Sequence, residues 1–255
     1  AVRGEIEKHV ATARKAEAAI GKVQAEGARL LKEGDALAKR GEADRQKIVT
    51  AERAKATKAM NAAQKLYEDF LERLRAFRVL DPACGSGNFL YLSLLALKDI
   101  ERDAGLDVET LGLKRQPPRV GPEAVKGIEI NPYAAELARV SIWVGEIQWM
   151  RRNGFDAGRN PILRPLDNIE CRDALIEKDE ATGEWREADW PDADVIVGNP
   201  PFLGAKLMKR VMGAEYVEAL RDVFERRLNR FTDLVTYWFE KSRSLIKLGR
   251  TQRAG

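Results

Sequence analysis

A doubly wound α/β fold preceded by a helical arm is what this sequence predicts, and three observations predict it. The apolar run Phe77 to Leu80 leads into Asp81-Pro82-Ala83-Cys84-Gly85-Ser86-Gly87-Asn88-Phe89-Leu90, which reads as strand, tight turn and helix start. A second short apolar strand, Asp194 to Gly198, runs straight into Asn199-Pro200-Pro201-Phe202. Residues 1 to 78 contain no proline and are rich in Ala, Lys, Glu and Arg, the composition of long helices.

The arm comes first. Gly21, Gly27, Gly34 and Gly41 interrupt it, and Gly34-Asp35 and Gly41-Glu42 read as breaks between successive helices. No clean heptad is present. From Ala43 the helical pattern strengthens, and Leu66, Phe70, Leu74 and Phe77 fall on one face, which is expected to dock on the α/β core. The charged remainder reads as a solvated face.

In the glycine turn, Gly85 and Gly87 remove side chains where backbone must bend sharply and approach a ligand, and the following helix presents N–H groups without intrahelical acceptors. A phosphate-binding loop would continue with Lys and then Ser or Thr, whereas here Asn88-Phe89-Leu90 follow, so nothing is placed to grip a triphosphate. The turn opens instead with an acid. Asp81 suits the cationic amino group of an amino-acid-like ligand such as S-adenosylmethionine.

Phe89 to Arg102 reads as a buried helix through Leu90, Leu94, Leu95 and Leu97. A loop with Gln116-Pro117-Pro118 leads to a second strand, Ala124 to Ile130, which ends on Glu129. A carboxylate at that strand end can accept from both hydroxyls of a ribose, although Glu129 lies 42 residues beyond Gly87 against about 20 in the usual dinucleotide fingerprint. The loop around Leu106 to Pro122 accounts for the excess. Helix Tyr133 to Trp149 follows, its tryptophans read as core contacts. Asn168 to Ala174 reads as a third strand and its exit, and Ala181-Thr182-Gly183 as a hairpin turn without an assigned function.

The Asn-Pro-Pro-Phe stretch carries the acceptor chemistry. Two prolines remove two N–H groups and hold the chain extended, so the Pro200 carbonyl is free to face a cleft beside the Asn199 amide. Side by side, these two oxygens can accept both hydrogens of an exocyclic amino group. Phe202 offers a flat face for stacking a base; the alternative is a turn with a core phenylalanine. Beyond it, Lys206, Lys209 and Arg210 stand either as phosphate contacts or as a solvated helix face. Helices Tyr216 to Leu228 and Asp233 to Ile246 close the chain, the last one packing on the sheet.

Together DPACGSGNFL and NPPF resemble the cofactor and catalytic loops of amino-group DNA methyltransferases of the N6-adenine class. The wider text, LRAFRVLDPACGSGNFLYL and DLVTYWFEKSR, looks like the MmeI-like group of type II restriction-modification enzymes. The resemblance implies a Rossmann-like class I methyltransferase core over 65–255, truncated at its C-terminal side, with residues 1–64 as a helical connector arm. It implies S-adenosylmethionine as cofactor, held by Asp81, Ala83, Gly85, Gly87, Asn88, Phe89, Glu129, Ile130, Asp173 and Ala174. Asp173 would accept from the amino group of the cofactor adenine, with Ala174 leaving room beside the ring. Asn199, Pro200, Pro201 and Phe202 would form the catalytic loop, and the partner would be double-stranded DNA with a flipped adenine. A ribosomal RNA or protein-glutamine amino methyltransferase, or an inactive remnant serving as a helical interaction module, stand as alternatives.

Length and composition agree with this class. The chain has 255 residues, 44% hydrophobic, with a formal net charge of +4, which permits a nucleic-acid partner without demanding one. Two cysteines, Cys84 and Cys171, give no disulfide framework, and the single histidine, His9, leaves a metal site almost without ligands. No apolar run reaches the length of a membrane span, and the expectation is a cytoplasmic prokaryotic protein without a membrane partner. The chain begins at Ala1 and stops at Gly255 where a further strand is expected, so a target-recognition part is expected outside it, with the presence of a nuclease part left open. The strand before Asn199 is accordingly expected at a sheet edge, and residues 1–255 alone to methylate no defined site.

Overall fold

The computed structural model describes residues 2–32, 36–155 and 165–255. Two compact units are present, one from residues 1–74 with 101–118, the other from 75–100 with 119–255.

The first unit is built on two long helices, α1 (Val2–Lys32) and α2 (Ala36–Ala76). They run antiparallel, because Ala13 and Ala16 meet Ala56 and Ala59 while Ile6 and Val10 meet Ala63, Tyr67 and Leu71. Alanine faces let the axes approach closely. Of the expected breaks, Gly34-Asp35 lies outside the described residues, and α2 runs without interruption through Gly41, as α1 does through Gly21 and Gly27. A helical glycine costs about 1 kcal/mol relative to Ala, too little by itself to end helices of 31 and 41 residues. Leu66 and Phe70, expected to dock on the α/β core, pack against the cluster of Ile6, Tyr67, Val108 and Leu113, which belongs to the helical unit. Phe77 lies past the end of α2.

The second unit holds β1 (Val79–Asp81), α3 (Asn88–Thr110, whose last part belongs to the helical unit), β2 (Val125–Glu129), α4 (Pro132–Arg152), β3 (Ile169–Cys171), β4 (Ile176–Lys178), β5 (Trp185–Glu187), β6 (Val195–Ile196), α5 (Ala205–Met212), α6 (Ala214–Val223), α7 (Val235–Lys247) and β7 (Arg253–Ala254). The main sheet has the order β3-β2-β1-β6-β7 and every pairing in it is parallel. The chain builds outward from β1 to β3, returns to the other side of β1 with β6, and so reverses direction between β1 and β6. In open parallel sheets the crevice outside the strand ends at such a reversal is where ligands bind. Both of the loops singled out by sequence leave the sheet there, after β1 and after β6.

One expectation is overturned. The strand before Asn199 is not a sheet edge, because β7 pairs with β6, Gln252 N–H donating to the Asp194 carbonyl at 2.9 Å and Gly255 N–H to the Ile196 carbonyl at 3.0 Å. A Schellman turn sets up this return. Gly249 at φ +72° ends α7, its N–H donating to Ile246 and that of Arg250 to Leu245. The Arg250 guanidinium then bonds Asp189, Asp192 and the Trp190 carbonyl. Helix bounds differ as well: the stretch from Tyr216 to Leu228 is helical only as far as Val223, whereas the helix expected from Phe89 to Arg102 runs on to Thr110, into the stretch expected as a loop from Leu106.

The β4–β5 pair is the expected hairpin, turned at Gly183 with φ +72°. Its end anchors α7: Glu187 pairs with the buried Lys241 at 3.1 Å and with Arg227, and Lys241 lies over the Trp190 ring at 4.9 Å. Trp149 is a core contact, 4% exposed, its indole N–H donating to Asp99 at 2.8 Å under the buried Lys98. Among the described residues no helix is long and apolar enough to cross a membrane.

Candidate active site

The turn after β1 is stitched down from three sides. Ala83 N–H donates to Asp81 Oδ1 at 3.0 Å, Cys84 N–H to the Ile128 carbonyl at 3.1 Å, and Gly85 N–H to Glu129 Oε2 at 2.8 Å. From α7, the Trp238 indole N–H reaches the Pro82 carbonyl at 3.1 Å. Gly85 and Gly87 have φ of +53° and +82°, the left-handed region where a side chain is strained. The helix α3 opens at once after Gly87, with its first-turn amides at the mouth of the turn.

Asp81 is 1% exposed. Burial, reinforced by the charge of Glu129, pushes its carboxyl up to about 6. Gly198 permits this placement, since a Cβ there would stand 2.7 Å from Asp81 Oδ1. A buried carboxylate with no cation beside it is costly to ionise, which makes the site receptive to a cationic group. The folded protein therefore binds an extra proton between roughly pH 4 and 6, and its stability falls as pH rises through that window and levels off above it. Asp81→Asn is expected to stabilise the ligand-free protein at pH 7 by up to about 3 kcal/mol, the gap from wild type widening from pH 4 to 6 in thermal melts. A gap that does not change with pH would clear Asp81 of this role.

Burial likewise pushes the Cys84 thiol up to about 12, so it stays protonated inside the turn. Glu129 uses both oxygens locally, Oε1 accepting from Asn131 N–H at 2.9 Å while Oε2 holds Gly85. Asn131 in turn caps α4, accepting from Tyr133 and Ala134 N–H.

These elements surround a cleft of about 380 Å³, within the size range of small-molecule sites. Ala83, Glu129, Ile130, Asp173, Ala174, Asn199 and Pro201 all line it, so residues from the ends of four segments of chain meet there. A smaller cavity of about 120 Å³ shares the Pro82, Ala83 and Trp238 walls and adds Asp81, Gly198 and Pro200. Gly85, Gly87, Asn88 and Phe89 line neither space; the two glycines shape the turn, and Asn88 and Phe89 are exposed at the start of α3. Phe202 is 75% exposed, which removes the alternative of a core phenylalanine. Lys209 pairs with Glu218 at 2.5 Å, whereas Lys206 and Arg210 are exposed on α5.

Among the lining residues that the sequence did not single out, those with polar contacts matter most. Tyr216 donates its hydroxyl to Asp173 Oδ2 at 2.7 Å, Trp238 holds the turn as described, and Arg172 bonds Glu170 and the carbonyls of Asp173 and Asp189. In the sequence both aromatics sit at helical spacing among apolar residues, where they read as core.

Comparison with known proteins bears on this site. "DNA methyltransferase A" of Bacillus subtilis (strain 168) is 29% identical over 181 residues, which is 68% of this chain and 20% of that protein. The type IIL restriction-modification enzyme MmeI, solved in complex with DNA, superposes with a TM-score of 0.53 at 23% identity, covering 72% of this chain and 25% of the enzyme. This chain thus spans between a fifth and a quarter of the length of either relative. The family described as "MmeI, DNA-methyltransferase domain" matches residues 55–254, so the chain belongs to that family.

Proposed function

We propose that this chain carries the cofactor-binding and catalytic part of an enzyme that methylates adenine N6 in DNA with S-adenosylmethionine, within a restriction-modification system. The single observation that carries this reading is that Asn199 and Pro201 line the same cleft as Ala83, Glu129 and Asp173. Donor and acceptor groups can therefore meet in one cleft. Family membership favours DNA over ribosomal RNA or protein glutamine as the methyl acceptor. Residues 1–64 would serve as a connector arm to further parts of a longer enzyme, which would include those that read the target sequence.

The residues present fit the cofactor. Asp81, desolvated and raised, suits its ammonium group from the adjoining smaller cavity; Glu129 stands at the strand end where ribose hydroxyls are gripped; Asp173 lines the same cleft as Glu129. When bound, S-adenosylmethionine supplies an electrophilic methyl group on a sulfonium. The rest is done by this chain's own residues. Asn199 Oδ1 and the Pro200 carbonyl would accept the two hydrogens of the target amine, fix its orientation and stabilise the positive charge that grows on nitrogen; as the N–C bond forms the methyl–sulfur bond breaks, the neutral thioether leaves, and the nitrogen then loses one proton to solvent. The exposed face of Phe202 receives the extruded base. No covalent enzyme intermediate is required, and the protonated Cys84 thiol offers none.

The test is to incubate the purified full-length enzyme that contains this chain with labelled S-adenosylmethionine and duplex DNA of mixed sequence, then map the modified base. Label in N6-methyladenine is the expected outcome. Label in cytosine, in RNA alone, or in protein would refute the reading.

A further inference from the structure

We infer that Tyr216 is a positioning residue of the cleft, its hydroxyl orienting the Asp173 carboxylate toward the exocyclic amino group of a purine bound there. The inference rests on the reading that the adenine end of S-adenosylmethionine lies at Asp173.

The carboxylate of Asp173 is held from two directions. Oδ1 accepts from Leu175 N–H at 2.7 Å and from Ile176 N–H at 3.4 Å, while Oδ2 accepts the Tyr216 hydroxyl at 2.7 Å. An ionised carboxylate offers about four lone-pair sites, so these three donors leave roughly one for a ligand. The backbone donors grip only Oδ1, at 2.7 and 3.4 Å, so alone they leave the plane of the carboxylate loosely set. The tyrosine grips the second oxygen and so fixes the plane, and it lines the same cleft as Asp173 itself.

Tyr216 is in turn held in place. Its ring meets Trp185 edge-on, with centroids 6.1 Å apart at 87°, and it packs against the cluster formed by Leu175, Ile176 and Val217. Burial, and then the charge of Asp173, push the phenol far above its ordinary range, so it remains a donor at every working pH. A donor fixed on one carboxylate oxygen leaves the open lone pair pointing one way. A ligand amino group meets an acceptor already aligned, while a ligand presenting an acceptor or a differently placed N–H does not.

A purely structural strut would hold α6 to the turn after β3 without caring which base is bound, and the experiment separates the two. Dissociation constants of S-adenosylhomocysteine and its inosine analogue, in which oxygen replaces the 6-amino group, are measured for wild type and Tyr216→Phe. Phenylalanine keeps the ring and its packing and removes only the hydroxyl. The expected result is about tenfold weaker binding of S-adenosylhomocysteine with little change for the inosine analogue, so the preference between them shrinks about tenfold. In turnover, the cofactor KM rises and kcat at saturation stays near wild type. Equal losses for both ligands, or none for either, overturn the positioning role. A wild type with no preference for the 6-amino ligand overturns the placement of adenine at Asp173, and this inference with it; a preference shared unchanged by the variant overturns the role of Tyr216 alone.

Discussion

Asn199→Ala is expected to lower kcat for methyl transfer by at least about 10²–10³-fold, the range seen when one aligned group is removed from a developing charge, while the cofactor dissociation constant stays within about twofold. The separation follows from where the side chain stands. Asn199 is exposed at the end of β6, and among the described residues its amide has no hydrogen-bond partner, so its loss leaves no buried group unsatisfied. Fold and thermal stability should be unchanged. The Pro200 carbonyl remains, but one acceptor cannot fix both hydrogens of an amine. Burst and steady-state kinetics with labelled S-adenosylmethionine measure the first effect, and calorimetric titration the second. A variant that methylates adenine at near wild-type rate would take Asn199 out of the chemistry. Tenfold weaker cofactor binding would place it at the donor end of the cleft instead.

The parts of this site that the sequence made legible are those where backbone geometry restricts residue choice. Gly85 and Gly87 sit at positive φ, and Pro200-Pro201 hold an extended exit from a strand. Such positions announce themselves, because few residues can occupy them. The strands β1, β2, β3 and β6 were legible for a related reason: each carries apolar residues and ends on a polar residue or a turn. The strand β7 was not, since Arg253 and Ala254 are both exposed and carry no hydrophobic pattern; only backbone pairing with β6 makes them a strand. Helix continuity through Gly21, Gly27 and Gly41 was equally hidden, since a single helical glycine weakens a long helix without ending it. Tyr216 and Trp238 show the limit most clearly. Each buries most of its ring and places one polar atom in the cleft, and a hydropathy pattern records only the ring. Glu129 was found, but its hold on Gly85 and Asn131 was not, because those bonds join segments more than forty residues apart in the first case and turn the chain in the second.

Gly87→Ala is expected to destabilise the α/β unit by about 2–4 kcal/mol, where Gly85→Ala should cost only about 1–2 kcal/mol. Both glycines are in the left-handed region, so both substitutions carry the backbone strain of a side chain at positive φ. They differ in surroundings. At Gly85 nothing lies within 4 Å of the new Cβ, whereas at Gly87 it would stand 3.0 Å from both Cα and Cβ of Ala138 and 3.3 Å from its carbonyl oxygen. Those atoms are helix backbone, or fixed to it, and cannot swing aside. Relief requires α3 and α4 to separate, and α4 is tied at its start to the end of β2 through the Asn131 cap and Glu129. The melting temperature should therefore fall by about 5–15 °C for Gly87→Ala, at roughly 2–4 °C per kcal/mol for a unit of this size, and by about half as much for Gly85→Ala. Cofactor affinity should follow a different order. Gly85 N–H is bonded to Glu129 at the cleft wall, so its substitution disturbs the ligand surface with a smaller loss of stability. Equal falls in melting temperature for the two variants would mean that strain alone matters, and that the close approach of the turn to α4 does not set the position of the cofactor loop.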